Sequence, residues 1–148
     1  MVEIDYLLRL GLTLFLAAII GLEREREDKP AGLRTTIFVS LGACLAAILS
    51  LELVKIFNQL EGQNLRFNFA RIAAYTIAGI GFLGGGIIMK KEKRLEGITT
   101  AAVLWLLVIN SLLIGYGSYL LGTIVGLSTF LILKLKYVEI KLKKRGQI

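Results

Sequence analysis

Long apolar stretches separate the charged residues of this chain into blocks. They occupy residues 4–22, 35–51, 72–89 and 98–133. The first stretch contains only Asp5 and Arg9 as charged side chains, and the others contain none. A helix that crosses a membrane needs about 20 apolar residues, with about 17 as the lower limit. Each of the first three stretches therefore has the length of one membrane crossing.

The fourth stretch is too long for one helix. Its 36 residues would form a rod about 54 Å long, against a hydrocarbon core of about 30 Å. A turn at Gly115-Tyr116-Gly117 divides it into two arms. The pattern therefore predicts an all-α, polytopic membrane protein with five transmembrane helices, over residues 4–22, 35–54, 71–89, 98–114 and 117–134. In this interpretation residues 1–136 form the transmembrane domain and residues 137–148 form a short basic tail.

Lysine and arginine lie unequally on the two sides of the predicted bundle. Segments 23–34 and 90–97 and the tail from Lys134 carry 14 of the 18 basic residues. Such an excess marks the cytoplasmic side of a membrane protein. An odd number of helices then places the N-terminus outside and the C-terminus in the cytoplasm. We therefore expect a multi-pass protein of the cell's inner, or plasma, membrane.

The overall composition supports a lipid environment and excludes several kinds of chemistry. The chain is 55% hydrophobic and only 20% charged, more apolar than a soluble domain of 148 residues can bury. It has one cysteine and no histidine, so neither a zinc site nor a Cys/His catalytic pair is expected. We therefore expect a protein that is not an enzyme and binds no cofactor. The net charge of +7 follows from topology and anionic lipid, and indicates no nucleic acid.

Glycines concentrate in two of the predicted helices. Helix 3 contains Gly79, Gly81, Gly84 and Gly85, and helix 5 contains Gly122 and Gly126 on one face. Small residues let helix backbones approach closely in lipid, which predicts tight packing within one chain or in a homo-oligomer. The alternative is a broken helix 3 whose freed backbone groups line a polar cavity.

Charged side chains in two places allow more than one interpretation. Arg9 lies inside helix 1, where it either pairs with Asp5 or extends to the lipid headgroups. Segment 23–35 is either a solvated loop that fixes topology or a structured mouth that faces a partner or an ion. A helical continuation there would pair Glu23 with Arg26, three residues on.

Three motifs follow one another along the chain. They are GLERE with PAGLRT at residues 21–25 and 30–35, RIAA with GIGFLG at 71–74 and 79–84, and GITTAA with LW at 97–102 and 104–105. In this order and spacing they resemble the MgtC/SapB family of bacterial and archaeal membrane proteins. The resemblance covers the membrane domain, without the soluble C-terminal domain of longer members.

The resemblance implies a small inner-membrane protein linked to magnesium homeostasis. It also implies regulation through contact with other membrane proteins, including the proton-translocating ATP synthase. Its motifs make the functional candidates Glu23, Arg24, Glu25, Arg34, Thr35, Arg71, Thr99, Thr100 and Trp105. Asn68, Tyr75 and Leu107 replace more polar residues of the family pattern, which weakens a transfer of ion chemistry.

Two functions follow from these observations. The leading hypothesis is a protein that binds and modulates another membrane protein, because no carboxylate lies deep in a predicted helix to mark an ion path. The alternative is a transporter or channel for Mg²⁺ or another small ion, which the glycine-rich helix 3 favours.

Overall fold

The structure is a computed structural model that describes residues 2–59, 69–91 and 94–144. This part of the chain folds into five α-helices and one short β-hairpin. The elements are α1 (Val2–Arg26), α2 (Leu33–Gln59), α3 (Phe69–Ile87), β1 (Met89–Lys91), β2 (Arg94–Glu96), α4 (Ile98–Gly115) and α5 (Tyr119–Lys144). The predicted all-α class is confirmed. The small antiparallel hairpin, which pairs Met89 with Glu96, was not predicted.

Four of the helices, α1 to α4, are long and apolar enough to cross a membrane. The apolar part of α5 is shorter and covers Tyr119–Leu135. Several helix ends differ from the prediction, because charged residues continue helical hydrogen bonding after the apolar run has ended. Thus α1 reaches Arg26, and α5 continues to Lys144. The division into a transmembrane domain over residues 1–136 and a short basic tail over residues 137–148 stays a prediction.

The most enclosed helix of the bundle is α4. It contributes Leu104, Leu107 and Val108 to the core, where they join Ile20 of α1 and Ala47 of α2. The least enclosed helix is α3. Only 6% of its apolar segment is buried inside the bundle, whereas 56% of the apolar segment of α4 is buried. Large apolar side chains on the outer surface fit a protein that has lipid as its solvent. The chain therefore packs α1, α3 and α5 around a centre formed by α2 and α4, with α3 at the edge.

Two glycines allow the central helices to approach one another closely. A Cβ atom built on Gly115 of α4 would lie 2.6 Å from Ala47 Cβ and 2.7 Å from the carbonyl oxygen of Cys44 in α2. A Cβ on Gly21 of α1 would lie 2.8 Å from Leu33 Cα and would overlap the hydroxyl of Thr36. Helices without a strong hydrophobic drive between them rely on such contacts.

Two helices end in the same hydrogen-bond pattern. At the end of α1, Asp28 N–H donates to Glu25 O at 3.1 Å and Lys29 N–H to Arg24 O at 3.0 Å. At the end of α4, Gly117 N–H donates to Ile114 O and Ser118 N–H to Leu113 O, both at 2.9 Å. Gly117 therefore takes the place of Asp28, and both have a positive φ, 92° for Gly117 and 50° for Asp28. This left-handed termination turns the chain sharply without unpaired carbonyls. The second turn lies at the predicted Gly115-Tyr116-Gly117.

Candidate functional site

One end of the bundle collects most of the residues that the sequence motifs single out. We call it the basic end, and it comprises residues 23–34, the two hairpin strands with their flanking residues (87–91 and 94–100), and the adjoining part of α5. Here α1 continues for a further turn beyond its apolar run and then turns into α2. The basic end therefore combines the first and third sequence motifs in space.

Glu23 and Arg24 form a buried ion pair at this end. Arg24 Nε donates to Glu23 Oε2 at 2.5 Å, and Arg24 Nη2 donates to Glu23 Oε1 at 2.8 Å. Only 7% of Glu23 and 3% of Arg24 is exposed. The predicted pair of Glu23 with Arg26 is wrong, since the long Arg24 side chain reaches its neighbour and Arg26 lies exposed. A buried ion pair contributes little net stability, so its value lies in positioning or function.

Glu25 has a structural role in the loop between α1 and α2. Its Oε2 accepts a hydrogen bond from Leu33 N–H at 2.8 Å, which satisfies one open donor at the start of α2. A Cβ on Gly32 would lie 2.9 Å from the same carboxylate oxygen, so glycine leaves room for this cap. Segment 23–35 is therefore an ordered connection, although Arg34 in it remains exposed and Thr35 half-buried.

A cavity of about 1170 Å³ opens beside the buried ion pair. Its polar wall is formed by Arg24, Lys29 and the N-terminus of α4, where Thr99 and Thr100 lie. Thr99 is exposed, whereas Thr100 is 3% exposed. The structure therefore brings Glu23, Arg24, Thr99 and Thr100 together, although about 75 residues of chain separate the two pairs.

The remaining polar candidates lie elsewhere. Arg71 is exposed on the first turn of α3, at the opposite end of the bundle, with its guanidinium 6.0 Å from the Tyr75 ring. Trp105 lies on α4 and is 49% exposed. Of the residues that depart from the family pattern, Tyr75 is 66% exposed and Leu107 is buried in the core. The third, Asn68, lies outside the described residues. The second sequence motif therefore does not contribute to the cavity through Arg71.

The opposite end contains a polar network that sequence reasoning found only in part. Arg9 pairs with Asp5, as one of the two interpretations predicted, and also donates to the Gly115 carbonyl at 2.6 Å. Tyr119 of α5 donates to Asp5. This network joins α1 to the α4–α5 turn. Its partners from α4 and α5 could not be predicted, because they are more than 100 residues away in sequence.

Three buried polar atoms of the bundle lack a hydrogen-bond partner within the described part of the chain. They are Thr13 Oγ1, Ser40 Oγ and Asn110 Oδ1. Asn110 lies beside α5, where a Cβ on Gly126 would be 3.3 Å from its amide nitrogen. Such groups are expensive in a membrane interior and usually have a partner or a function.

The predicted packing glycines fall into two groups. Gly122 and Gly126 face the body of the protein, and a Cβ on Gly126 would lie 2.8 Å from Leu16. In α3, Gly84 makes an ordinary contact with Ala101, at 3.5 Å from the built Cβ. Gly79, Gly81 and Gly85 have no atom of another described residue within 4 Å of a built Cβ. For those three, packing against another chain stays a prediction.

Sequence comparison agrees with this arrangement. A profile of the MgtC family matches residues 10–139, which include the ion pair, the α4 N-terminus and α3. The chain belongs to the MgtC family. With its long apolar helices it is a membrane protein.

Three curated relatives are about one-third identical to this chain over the aligned residues. The putative magnesium transporter YhiD of Escherichia coli K12 is 33% identical over 88% of this chain and 60% of its own length. Protein MgtC of Salmonella typhimurium is 35% identical over 80% of this chain and 47% of its own length. Protein SapB of Bacillus subtilis is 34% identical over 70% of this chain and 44% of its own length. The chain thus spans about half the length of these relatives, and no solved structure matches it.

Proposed function

We propose that this MgtC-family protein supports magnesium or other ion homeostasis by binding and modulating another membrane protein. It would lie in the inner membrane with five spans, its N-terminus outside and the basic end in the cytoplasm. The support for this orientation is the lysine and arginine excess at the basic end. Within this proposal the partner is a second copy of the chain or another membrane protein, of which the ATP synthase is the candidate that the resemblance gives.

The observation that carries the proposal is the open face of α3. Phe82 is 86% exposed and Tyr75 is 66% exposed. Between and beside them, Gly79, Gly81 and Gly85 leave the helix backbone uncovered. In lipid, such a face lets the backbone of a second helix come close, and van der Waals packing then stabilises the pair. The fold uses α3 little for its own core, which leaves the face for a partner.

The test fills the open face without disturbing the fold. Gly81→Leu and Gly85→Leu should leave the amount of folded protein unchanged, because no atom lies within 4 Å of a Cβ at either position. Both should abolish the protein's support of growth under magnesium limitation. In an Ala78→Cys background, both should also abolish cross-linking of this cysteine to the partner. The matched controls are Gly11→Leu and Gly42→Leu, which are equally open on α1 and α2. If the controls lose function as the α3 variants do, or if no variant loses it, the α3 face is not the contact surface.

A transporter or channel for Mg²⁺ or another small ion is the second candidate. The unpaired polar groups of Thr13, Ser40 and Asn110 favour it, since they lie inside the bundle. Mg²⁺ flux into proteoliposomes of the purified protein separates the two functions. Under our proposal, the Mg²⁺ flux into liposomes that contain the wild-type protein or the Asn110→Leu variant equals the flux into empty liposomes. Flux well above empty liposomes that is lost in Asn110→Leu and retained in Arg34→Ala would make transport through the bundle the function.

A further inference from the structure

The cavity at the basic end contains an uncapped helix N-terminus. Gly97 precedes α4 with φ of 91° and supplies no side-chain cap, and the first backbone bond joins Ala101 N–H to Gly97 O at 2.9 Å. The N–H groups of Ile98, Thr99 and Thr100 come before that bond, and all three residues line the cavity. Open N–H groups and the helix dipole together favour an anion, and phosphate in particular.

Two buried polar side chains in the same wall point to a ligand. Thr100 is 3% exposed, and its hydroxyl makes no hydrogen bond to another described residue. Arg24, equally buried, engages Glu23 through Nε and Nη2, so Nη1 is outside that pair. A hydroxyl and a guanidinium beside a helix N-terminus are the donors that proteins use for phosphate oxygens.

The other charges of the cavity restrict the kind of phosphate. Lys29 adds a half-buried cation, but the Arg24 charge is already balanced by Glu23. The carboxylates of Glu27 and Asp28 also line the cavity. A free phosphate dianion would be repelled by them. A phosphate group linked to an ammonium group would fit both. Its phosphate would lie near Lys29 and the α4 N-terminus, and its ammonium near the carboxylates.

The apolar wall indicates that the ligand comes from the bilayer. Ile98, Leu95 and Ile132 line the cavity and are 52%, 61% and 62% exposed, so an apolar surface leads out from it. Ile98 is the first residue of the α4 apolar span, and Ile132 is close to the end of the α5 apolar segment, Tyr119–Leu135. The cavity therefore lies at the level where apolar spans end, which is the level of lipid headgroups.

We propose that this cavity binds the headgroup of a phosphoethanolamine lipid. The phosphate lies at the α4 N-terminus, held by the N–H groups of residues 98–100, the Thr100 hydroxyl and Arg24. The ammonium group faces Glu27 and Asp28, and the acyl chains leave along Ile98 and Ile132. This site uses other residues than the open face of α3 and does not rest on the partner proposed there.

The test is native mass spectrometry of the purified full chain in detergent, titrated separately with short-chain phosphatidylethanolamine, short-chain phosphatidylcholine and inorganic phosphate. We expect a saturable 1:1 adduct with phosphatidylethanolamine. Thr100→Val, which keeps the shape and removes the hydroxyl, should weaken it about ten-fold or more. Asp28→Asn, which tolerates the left-handed backbone at this position, should reduce the preference over phosphatidylcholine. The control is Thr123→Val, whose hydroxyl bonds to Tyr119 O within α5 at 2.8 Å.

Each arm decides a separate part of the proposal. Equal affinity of the wild-type protein for both lipids would overturn recognition of the amine. Saturable binding of inorganic phosphate without lipid binding would overturn the lipid as the source. Wild-type affinity in a folded Thr100→Val protein would overturn the phosphate position. If Thr100→Val does not fold, the lipid preference of Asp28→Asn decides, and an unchanged preference counts against the site.

Discussion

Gly115 is the position where one added methyl group should disturb the bundle most directly. It lies at the end of α4, where a Cβ would be 2.6 Å from Ala47 Cβ and 2.7 Å from the Cys44 carbonyl oxygen. Real Cβ atoms do not approach other heavy atoms within 3.0 Å. Because the Cys44 oxygen belongs to the backbone of α2, it cannot rotate away as a side chain would. Gly115→Ala must therefore push α2 and α4 apart.

We expect Gly115→Ala to lower the free energy of unfolding by about 1–2 kcal/mol. Overpacking a tight interior costs about 1–3 kcal/mol, and two clashes, one with Ala47 Cβ and one with the Cys44 backbone carbonyl, place this site in the upper part of that range. The higher helix propensity of alanine opposes the loss by at most about 1 kcal/mol. The matched control is Gly42→Ala in α2, where no atom lies within 4 Å of a Cβ, so only the favourable propensity remains.

The chain's single cysteine provides the assay. Cys44 is fully buried, and its own carbonyl is one of the two atoms that the new methyl group would meet. A thiol-reactive dye in detergent therefore labels the protein only when α2 and α4 separate. Gly115→Ala should lower the labelling midpoint temperature by about 2–8 °C, at about 2–4 °C per kcal/mol for a chain of this size. A wild-type midpoint and labelling rate would refute the close approach of α2 and α4 at Gly115.

Two further substitutions test the basic end with the same thermal assay. Glu25→Ala should cost about 0.5–2 kcal/mol because Leu33 N–H loses its cap, whereas Glu25→Gln keeps an acceptor and should lose less. An equal loss in both variants would show that charge, and not the cap, is what matters. Glu23→Gln should cost about 3–5 kcal/mol, since it leaves the Arg24 guanidinium buried without a counter-charge. The exposed Glu27→Gln should stay within about 0.5 kcal/mol of wild type, and a similar value for Glu23→Gln would contradict the buried pair.

The apolar pattern predicted the helices well because the bilayer leaves few options. A charge-free run of membrane length forms a helix, and a run twice that length must turn, as it does at Gly117. The pattern could not predict where α1 and α5 end. Charged residues continue a helix outside the membrane at no penalty, so the loss of hydropathy marks the membrane boundary and not the helix boundary.

The candidate site was less predictable, since it depends on how each helix is rotated. The sequence left open whether Glu23 and Arg24 belong to a solvated loop or to a structured mouth, and it did not indicate that the bundle buries both. Likewise, the glycine run of α3 suggested packing, whereas close helix contacts occur at Gly21, Gly115 and Gly122, which lie outside that run. Whether a glycine faces a neighbour or the lipid is a property of the assembled bundle. A single sequence carries no signal for it.

The two proposed surfaces are physically connected. Pro30 and Ile87 line both the lipid cavity and a separate groove of about 690 Å³ that runs along Phe82 and Gly85 on α3. Ile87 is the last residue of α3, and its carbonyl oxygen is also the atom that a Cβ on Gly97 would strike. A helix that docked on α3 and displaced this end would therefore alter the wall that carries the α4 N-terminus. Such coupling is reciprocal: if the lipid changes the affinity for the partner by some factor, the partner changes the affinity for the lipid by the same factor. Phosphatidylethanolamine should accordingly lose its effect on partner binding in Thr100→Val, while the α3 face itself remains intact.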